Sequence, residues 1–224
     1  MGLEGGDIGI EDTLNDYWEE QYGYIERLNE FIKLWINQIN INTPQKINKI
    51  KNDTNDLFLT FNYTLLLEEI YGINKNNMVH IHGSIDEEND FPPVIGHCDS
   101  FKISRMRRRA DEAGEELDEK ESSICNALAK YYERTFKDVN YYISIHTDFF
   151  RRLSGVDNIF IIGHSFGDVD MPYFKRIKQN TKQDVIWNIY YHDDGDNINF
   201  MNKIVSIGVK TGNIKILKSE DFFI

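Results

Sequence analysis

The sequence predicts an α/β domain built on a mostly parallel, Rossmann-like sheet that is flanked by helices. Short apolar runs alternate with segments of helical spacing, an order that favours parallel strands joined by right-handed crossovers. The clearest run, Ile159–Ile162, is unbroken and largely β-branched, as is typical of a strand buried on both faces of such a sheet. Glycines and polar residues follow the runs, as expected at the carboxyl ends of parallel strands. The other predicted strands are Asp56–Phe61, Met78–His82, Val185–Tyr191 and Asn213–Leu217.

The composition excludes several classes of protein. The 224 residues suffice for one domain with a substantial core. The net charge of −12 argues against general nucleic-acid binding, which needs a basic surface. No apolar run is long enough to cross a bilayer, and no signal peptide opens the chain. Nothing about Cys98 and Cys125 suggests a disulfide framework. Taken together, these absences lead us to expect a cytoplasmic protein without membrane contact.

We expect one domain over residues 1–224. Its segments are an N-terminal helical cover, a first β-α-β unit, a charged insertion, a helical region and a C-terminal α/β half. The helical cover is assigned to residues 1–55 and the charged insertion to residues 87–121. The helical region is assigned to residues 122–155 and the C-terminal half to residues 156–217. A break in the helical region is predicted near Asn140. In the C-terminal half, Met171–Asn180, with Pro172 in its first turn, and Asn197–Ser206 have helical spacing.

The charged insertion contains a cluster of arginines followed at once by an acidic run. Two interpretations exist: a site for phosphate or a partner, or a solvated helix with intrahelical ion pairs. We favour ion pairs because the opposite charges lie so close in the sequence. The cluster is Arg105, Arg107, Arg108 and Arg109, and the acidic run is Asp111–Glu121.

Polar residues at the ends of four predicted strands indicate where a ligand would bind. If the strands are parallel, these residues belong to one edge of the sheet, which is where open α/β folds place their sites. They are Thr60 and Asn62, His80 and His82, Gly163, Ser165 and Asp168, and His192 and Asp193.

His82 is the strongest single candidate, because it ends an apolar strand beside Gly83, a residue that permits close approach of a ligand. An imidazole there can act as a general base near neutral pH. The alternative is that His82 is a core histidine whose two ring nitrogens form hydrogen bonds with backbone groups. A zinc site with His80 and with His97 or Cys98 is disfavoured, because no other His or Cys pair has ligand spacing, so we predict no metal.

Asn62 and Asp170 each have two interpretations. Asn62 either orients a ribose hydroxyl or a water, or is simply a turn residue. Asp170 either lines the same pocket or caps the helix that contains Pro172. We expect His146, inside a helical pattern, to be structural.

The turn Gly163–Gly167 also allows more than one chemistry. Its letters GHSFG fit G-x-S-x-G, the nucleophile turn of α/β-hydrolases, with Ser165 as nucleophile. It could equally line a nucleotide pocket or be a glycine turn without function. The hydrolase needs an acid and then a histidine later in the chain. Only His192 follows, with its nearest acids, Asp193 and Asp194, after it, so we disfavour this alternative.

Three motifs occur in order: TFNYTLLLEEIYG from Thr60, VHIHGS from Val79 and IFIIGHSFGDVDMPYF from Ile159. Together they resemble the phage abortive-infection AbiH family and, more distantly, the sirtuin-like (SIR2) NAD-binding domains, over roughly residues 56–175. The resemblance implies a sirtuin-like fold with NAD as ligand or substrate.

The resemblance also implies roles for single residues. His82 would be the general base on the nicotinamide ribose, and Asn62 would lie beside that ribose. Gly163 and Ser165 would hold the adenosine half of NAD. Asp168 and Asp170 match an acidic pair to which no role is assigned. We expect Thr60, Gly83 and His192 to line the same pocket.

The implied function is antiviral: the protein binds NAD or a related nucleotide and cleaves the nicotinamide–ribose bond. The first alternative is a sensor module that binds a nucleotide and cleaves nothing, and the second is the Ser165 hydrolase. A phage-derived trigger and a homo-oligomer are the further partners considered. The chain lacks the opening strand and glycine-rich loop of these families, so we interpret it as a fragment without the first βα unit. It also lacks the cysteines of the sirtuin zinc module, so we do not expect deacetylase activity.

Overall fold

The computed structural model describes residues 13, 16–18, 20–21, 23, 27–42, 47, 49–51, 55–86, 88, 90–193 and 195–223. Much of the expected N-terminal helical cover, together with Glu87 and Asp194, lies outside these residues. The contacts divide the chain into two compact units, one of residues 1–38 and 93–137 and the other of residues 39–92 and 138–224.

The described residues form helices and short parallel strands. They are α1 (Leu28–Asn37), β1 (Phe58–Thr60), α2 (Leu66–Glu69), β2 (Met78–His80), α3 (Ser100–Glu115), α4 (Glu119–Arg134), α5 (Val139–Ile145), α6 (Thr147–Arg152), β3 (Asn158–Ile162), α7 (Met171–Asn180), β4 (Ile186–Tyr191), α8 (Asn197–Ser206), β5 (Ile214–Lys218) and α9 (Glu220–Phe223). Single 3₁₀ turns lie at Lys75–Asn77, Leu153–Gly155 and Thr211–Asn213. Within the described residues no helix combines the length and the apolar character that a membrane span requires.

A helical hairpin of α3 and α4 dominates the first unit. Aspartates cap both helices: Asp99 accepts hydrogen bonds from the N–H groups of residues 101 and 102, and Asp118 accepts one from residue 121. Small buried side chains line the interface and let the two backbones approach closely. They include Ala110 and Ala113 of α3 and Cys125 and Ala129 of α4.

Three arginines of the charged insertion form ion pairs, two of them between the two helices of the hairpin. Arg107 donates to Glu133 and to Asn126 of α4. Arg109 pairs with Glu121 across the same hairpin. The intrahelical pairing that we expected occurs between Arg108 and Glu112. The short connection at residues 116–118 is the reason, because it folds the acidic residues back beside the basic ones.

The second unit contains two small parallel sheets. Strands β1 and β2 pair in parallel, with Phe58 opposite Met78 and Thr60 opposite His80. Met78 of β2 forms a buried cluster with Tyr71 and Ile73, and Phe58 of β1 packs against it. The other sheet has the order β3-β4-β5, again all parallel. Helices α7 and α8 are its crossovers, as the alternation of strand and helix predicted.

Three expectations about the strands are corrected. The structure forms separate sheets of two and three strands, where we predicted one sheet. Strand β2 ends at His80, and His82 lies in the turn after it. Strand β3 is not buried on both faces, because it lies at the edge of its sheet and Phe160 is 56% exposed. Apolar content alone could not distinguish an edge strand from a central one.

The helical region also differs in its breaks. Helix α4 ends at Arg134 and α5 begins at Val139, so the chain breaks just before Asn140. A second break at His146 separates α5 from α6. Asp138, which caps α5 by accepting from the N–H of Tyr141, accounts for the position of the first break.

Candidate functional site

The loops after β1 and β2 are bonded to each other beyond the ends of the strands. The Ile81 N–H donates to the Thr60 carbonyl at 3.0 Å, and the Ile85 N–H donates to the Tyr63 carbonyl at 3.1 Å. The Thr60 hydroxyl accepts from the Asn62 N–H at 3.0 Å and closes the turn after β1. These bonds hold Phe61 and His82 side by side, with ring centroids 5.2 Å apart.

His80 has a structural role. Its Nδ1 lies 2.8 Å from the Asn62 carbonyl oxygen and its Nε2 lies 2.8 Å from Glu68 Oε1. Both partners are acceptors, so both ring nitrogens donate and the imidazole is cationic. Burial opposes this charge, but the hydrogen bonds to Glu68 and Asn62 outweigh it and raise the pKa of His80 above its usual value. His80 therefore offers no lone pair to a metal, and no group of three His, Cys, Asp or Glu ligands occurs among the described residues.

His82 occupies a buried position next to a carboxylate. It is 5% exposed, and its Nε2 lies 3.4 Å from Asp170 Oδ1. Its ring also packs against Tyr173, with centroids 5.3 Å apart. A carboxylate beside an imidazole orients the ring and stabilises its protonated form.

The turn after β3 adds a second histidine to the site. Gly163 and Phe166 both have positive φ, at 68° and 55°, so the backbone curls back on itself. This curl directs the Phe166 N–H to His164 Nδ1 at 2.8 Å. An N–H can only donate, so Nδ1 carries the lone pair and the proton of a neutral His164 lies on Nε2. That nitrogen lies 3.4 Å from Asp170 Oδ2.

Asp170 joins the two histidines instead of capping α7. It occupies the N-cap position, yet its side chain makes no capping hydrogen bond. Its two carboxylate oxygens lie near His82 and His164, one near each. We call these three residues the His–Asp–His cluster. Burial, and after it the charge of Asp170, raises the pKa of nearby Tyr63 to about 12.

Aromatic side chains surround the cluster. Phe61 contacts both histidines, with ring centroids 5.2 Å from His82 and 4.3 Å from His164. Phe174 stacks on Phe61 at 5.7 Å, and Tyr173 and Phe166 are fully buried beside them. This apolar surrounding excludes water and strengthens each electrostatic interaction inside it.

Gly83 is required by the turn that follows His82. Its φ is 77°, and a Cβ built there would overlap the Phe91 carbonyl oxygen and lie 2.6 Å from that of Pro92. The Ser84 N–H donates to the same Phe91 carbonyl at 3.1 Å. The close approach at Gly83 is therefore to the chain's own backbone.

The other candidates lie at the ends of their strands but differ in their surroundings. The side chain of Asn62 is exposed, and its carbonyl serves His80. Ser165 and His192 are exposed. Asp168 is also exposed and pairs with Lys203 of α8, whose Nζ lies 3.0 Å from Oδ1. The structure thus joins His82 to the turn after β3 through His164 and Asp170, and it directs Asp168 to α8.

Sequence reasoning missed His164. The signal that singled out His82, an imidazole beside a glycine at the end of an apolar strand, is also present in Gly163-His164. The G-x-S-x-G match drew attention to Ser165 instead. For Asp170, the capping interpretation used only its position before Pro172, whereas its true neighbours, His82 and His164, lie in the turns after two separate strands.

The cluster can accept, hold and release a proton in a site largely shielded from solvent, which is the chemistry of a general base. Neither a search of the curated proteins nor a search of the solved structures found a significant match. The family described as "Bacteriophage abortive infection AbiH" matches residues 8–191, which is most of the chain. The chain belongs to this abortive-infection family.

Proposed function

We propose that this protein acts in antiviral defence by binding NAD or a related nucleotide at the carboxyl ends of its strands and cleaving the nicotinamide–ribose bond. The observation that carries the proposal is the pairing of His82 with Asp170 beside the glycine turn of β3. Carboxylate-paired imidazoles are suited to removing a proton from a hydroxyl or a water near neutral pH. The resemblance of the three motifs to sirtuin-like NAD-binding domains supplies the ligand.

The reaction is a hydrolysis through an oxocarbenium-like state. Nicotinamide leaves C1′ of the ribose with the electron pair of the broken C–N bond, and water adds to the same carbon. The proton that the water loses passes to His82, whose protonated form Asp170 stabilises. The products are nicotinamide and ADP-ribose. Neither a metal nor a covalent intermediate is needed.

The other residues at the strand ends take binding roles in this proposal. Asn62, with its exposed amide, lies beside the ribose, and Thr60 and Gly83 form the turns that border it. Gly163 and Ser165 contact the adenosine half. His192, exposed after β4, and Asp168 complete the pocket at its rim. A sirtuin-like arrangement of the two sheets is part of the same proposal.

One observation favours the alternative of a sensor that binds the nucleotide and does not cleave it. His82 is 5% exposed, and a general base has to reach a water or a substrate hydroxyl. The Ser165 hydrolase has less support. The neighbouring His164 directs Nδ1 to the Phe166 N–H and Nε2 to Asp170, so its imidazole is not aligned as a base for Ser165.

The deciding experiment combines calorimetric NAD binding with a nicotinamide-release assay on the protein and two glutamine variants. His82→Gln should abolish release and keep the fold. The matched control, His97→Gln, changes an imidazole of the other unit that donates to the Tyr132 carbonyl, and it should cleave normally. Binding without release in the unaltered protein would favour the sensor. The absence of both would refute the proposal, and labelling of Ser165 by a fluorophosphonate would favour the hydrolase.

A further inference from the structure

We infer that Asp170 and His164 are positioning residues that act through His82, so that the two imidazoles share one carboxylate as a single proton-holding unit. This inference rests on the proposed function for its catalytic meaning. Its physical content, the coupling of the two rings through Asp170, can be measured without any substrate.

The first step is the locked tautomer of His164. The Phe166 N–H reaches Nδ1 at 2.8 Å and assigns the ring proton to Nε2. Phe166 cannot easily give up this position. Its side chain is fully buried and packs against Phe174 at 4.8 Å and Phe200 at 4.9 Å. The positive φ of Phe166 is therefore held in place by its packing, and it orients His164.

The second step is the position of the Asp170 carboxylate between the two imidazoles. Oδ1 lies 3.4 Å from His82 Nε2, and Oδ2 lies 3.4 Å from His164 Nε2. Side-chain exposure is small for all three residues, at 6%, 17% and 11% for His82, Asp170 and His164. At such depth a carboxylate is stable as a charge only with partners, and these two imidazoles act as partners.

The third step is the consequence for His82. Because Nε2 of His164 lies beside one oxygen of Asp170, it restrains the rotation of the carboxylate and favours the orientation in which the other oxygen faces His82. Removal of His164 would release that rotation and leave His82 with a mobile partner. His164 thus affects His82 only through Asp170. The effects of substitutions at positions 164 and 170 on turnover should therefore not be additive.

The packing of the site offers a substitution that separates shape from hydrogen bonding. His164 lies among Phe61 at 4.3 Å and Phe174 at 4.8 Å, so His164→Phe keeps an aromatic ring there and removes both nitrogens. His164→Gln restores a donor for Asp170. Asp170→Asn removes the shared charge, and Asp157→Asn, at an exposed carboxylate bound to Lys182 just before β3, is the matched control.

The substrate-free test is two-dimensional NMR of the histidine ring nitrogens, which distinguishes the tautomers and reports their partners. The unaltered protein should show His164 with its proton on Nε2. Asp170→Asn should shift the ring nitrogens of both His82 and His164, and His164→Phe should shift those of His82. Asp157→Asn should shift neither. If His82 is unaffected by both His164→Phe and Asp170→Asn, the coupling does not exist and the inference is overturned.

The catalytic test uses nicotinamide release by the same variants. His164→Phe and Asp170→Asn should each lower kcat by about 100-fold or more while KM changes little, since an oriented base is worth that much in the transition state. The double variant should be no worse than the poorer single one, and His164→Gln should recover part of the loss. Turnover unchanged by His164→Phe overturns the inference. Coupling in the spectra of a protein without NAD binding or cleavage refutes the proposed function instead.

Discussion

Glu68 and His80 form a buried ion pair in which Oε1 lies 2.8 Å from Nε2. The pair joins the end of β2 to α2, and the second nitrogen of His80 donates to the Asn62 carbonyl in the loop after β1. One imidazolium therefore holds together the strand, the helix and the loop on which the first part of the site depends. His82 comes two residues later and owes its placement to this anchor.

His80 should make the protein less stable as the pH rises above about 6.5. Its pKa is raised in the folded protein, so its contribution is complete below about 6.5 and is lost as the pH rises through the folded pKa. We expect His80→Ala to cost roughly 3–5 kcal/mol at about pH 6 and less at about pH 9, because it leaves a buried carboxylate unpaired. Urea denaturation across this range measures the difference. The control His97→Gln should leave the pH dependence of the unfolding free energy unchanged. An equal loss for His80→Ala at both pH values would contradict the ion-pair assignment.

His146 should have the opposite effect and make the protein less stable as the pH falls below about 6.5. Burial lowers its pKa, and the nearby charge of Asp90 only partly opposes this. The neutral ring is then favoured in the folded state, so stability should fall as the pH drops from about 6.5 through the folded pKa. His146→Phe keeps a ring beside Phe91, whose centroid lies 6.0 Å away, and removes the titration. Thermal melts from about pH 5 to about pH 7 should show a flatter profile for this variant. A profile as steep as that of the unaltered protein would exclude His146 as the cause.

Gly83→Ala should be strongly destabilising. The added Cβ would overlap the Phe91 carbonyl, and an alanine would have to adopt a φ of 77°. We expect a loss of roughly 1–3 kcal/mol in the free energy of unfolding. The matched change is Gly155→Ala, where a Cβ meets nothing within 4 Å. That variant should unfold at nearly the same denaturant concentration as the parent, and similar losses in both would argue against the close approach.

Phe166 and Phe160 provide a paired test of the core of the second unit. Phe166 is fully buried among aromatic rings, whereas Phe160 is 56% exposed on the edge strand β3. Phe166→Ala should cost roughly 3–5 kcal/mol. It should also weaken the hydrogen bond from the backbone N–H of residue 166 to His164, because the buried ring that holds the positive φ is gone. Phe160→Ala should change stability by no more than about 1 kcal/mol. Chemical denaturation of both variants checks the order, and a reversal would show that the face of β3 with Phe160 is covered in solution.

Local sequence patterns predicted the elements of the C-terminal half well. The helices Met171–Asn180 and Asn197–Ser206 have the bounds that their spacing indicated, and β4 begins one residue later than expected. These elements depend on periodicity and on turn residues a few positions away, and such information is all contained in a short window of sequence. The same reasoning placed β1 correctly to within a few residues and predicted that a helix joins β1 to β2.

The alternative roles of single polar residues could not be decided in this way. His80 and His82 had similar sequence surroundings, yet one is a cation bonded to Glu68 and the other lies against Asp170. Asp170 had the position of a helix cap and makes no capping bond. The partner of a polar side chain is whichever group the packing brings within about 3 Å, and that group is often far away in the sequence.

The amino-acid sequence by itself determined the alternation of strands and helices, the glycine turns and the family to which the chain belongs, because all three are written in local patterns and ordered motifs. The tertiary structure alone decided that the strands divide into two sheets, that the arginines pair across a hairpin and that His82, Asp170 and His164 meet. Strand pairing and side-chain contacts join residues from distant parts of the chain, so their geometry exists only after the loops have closed.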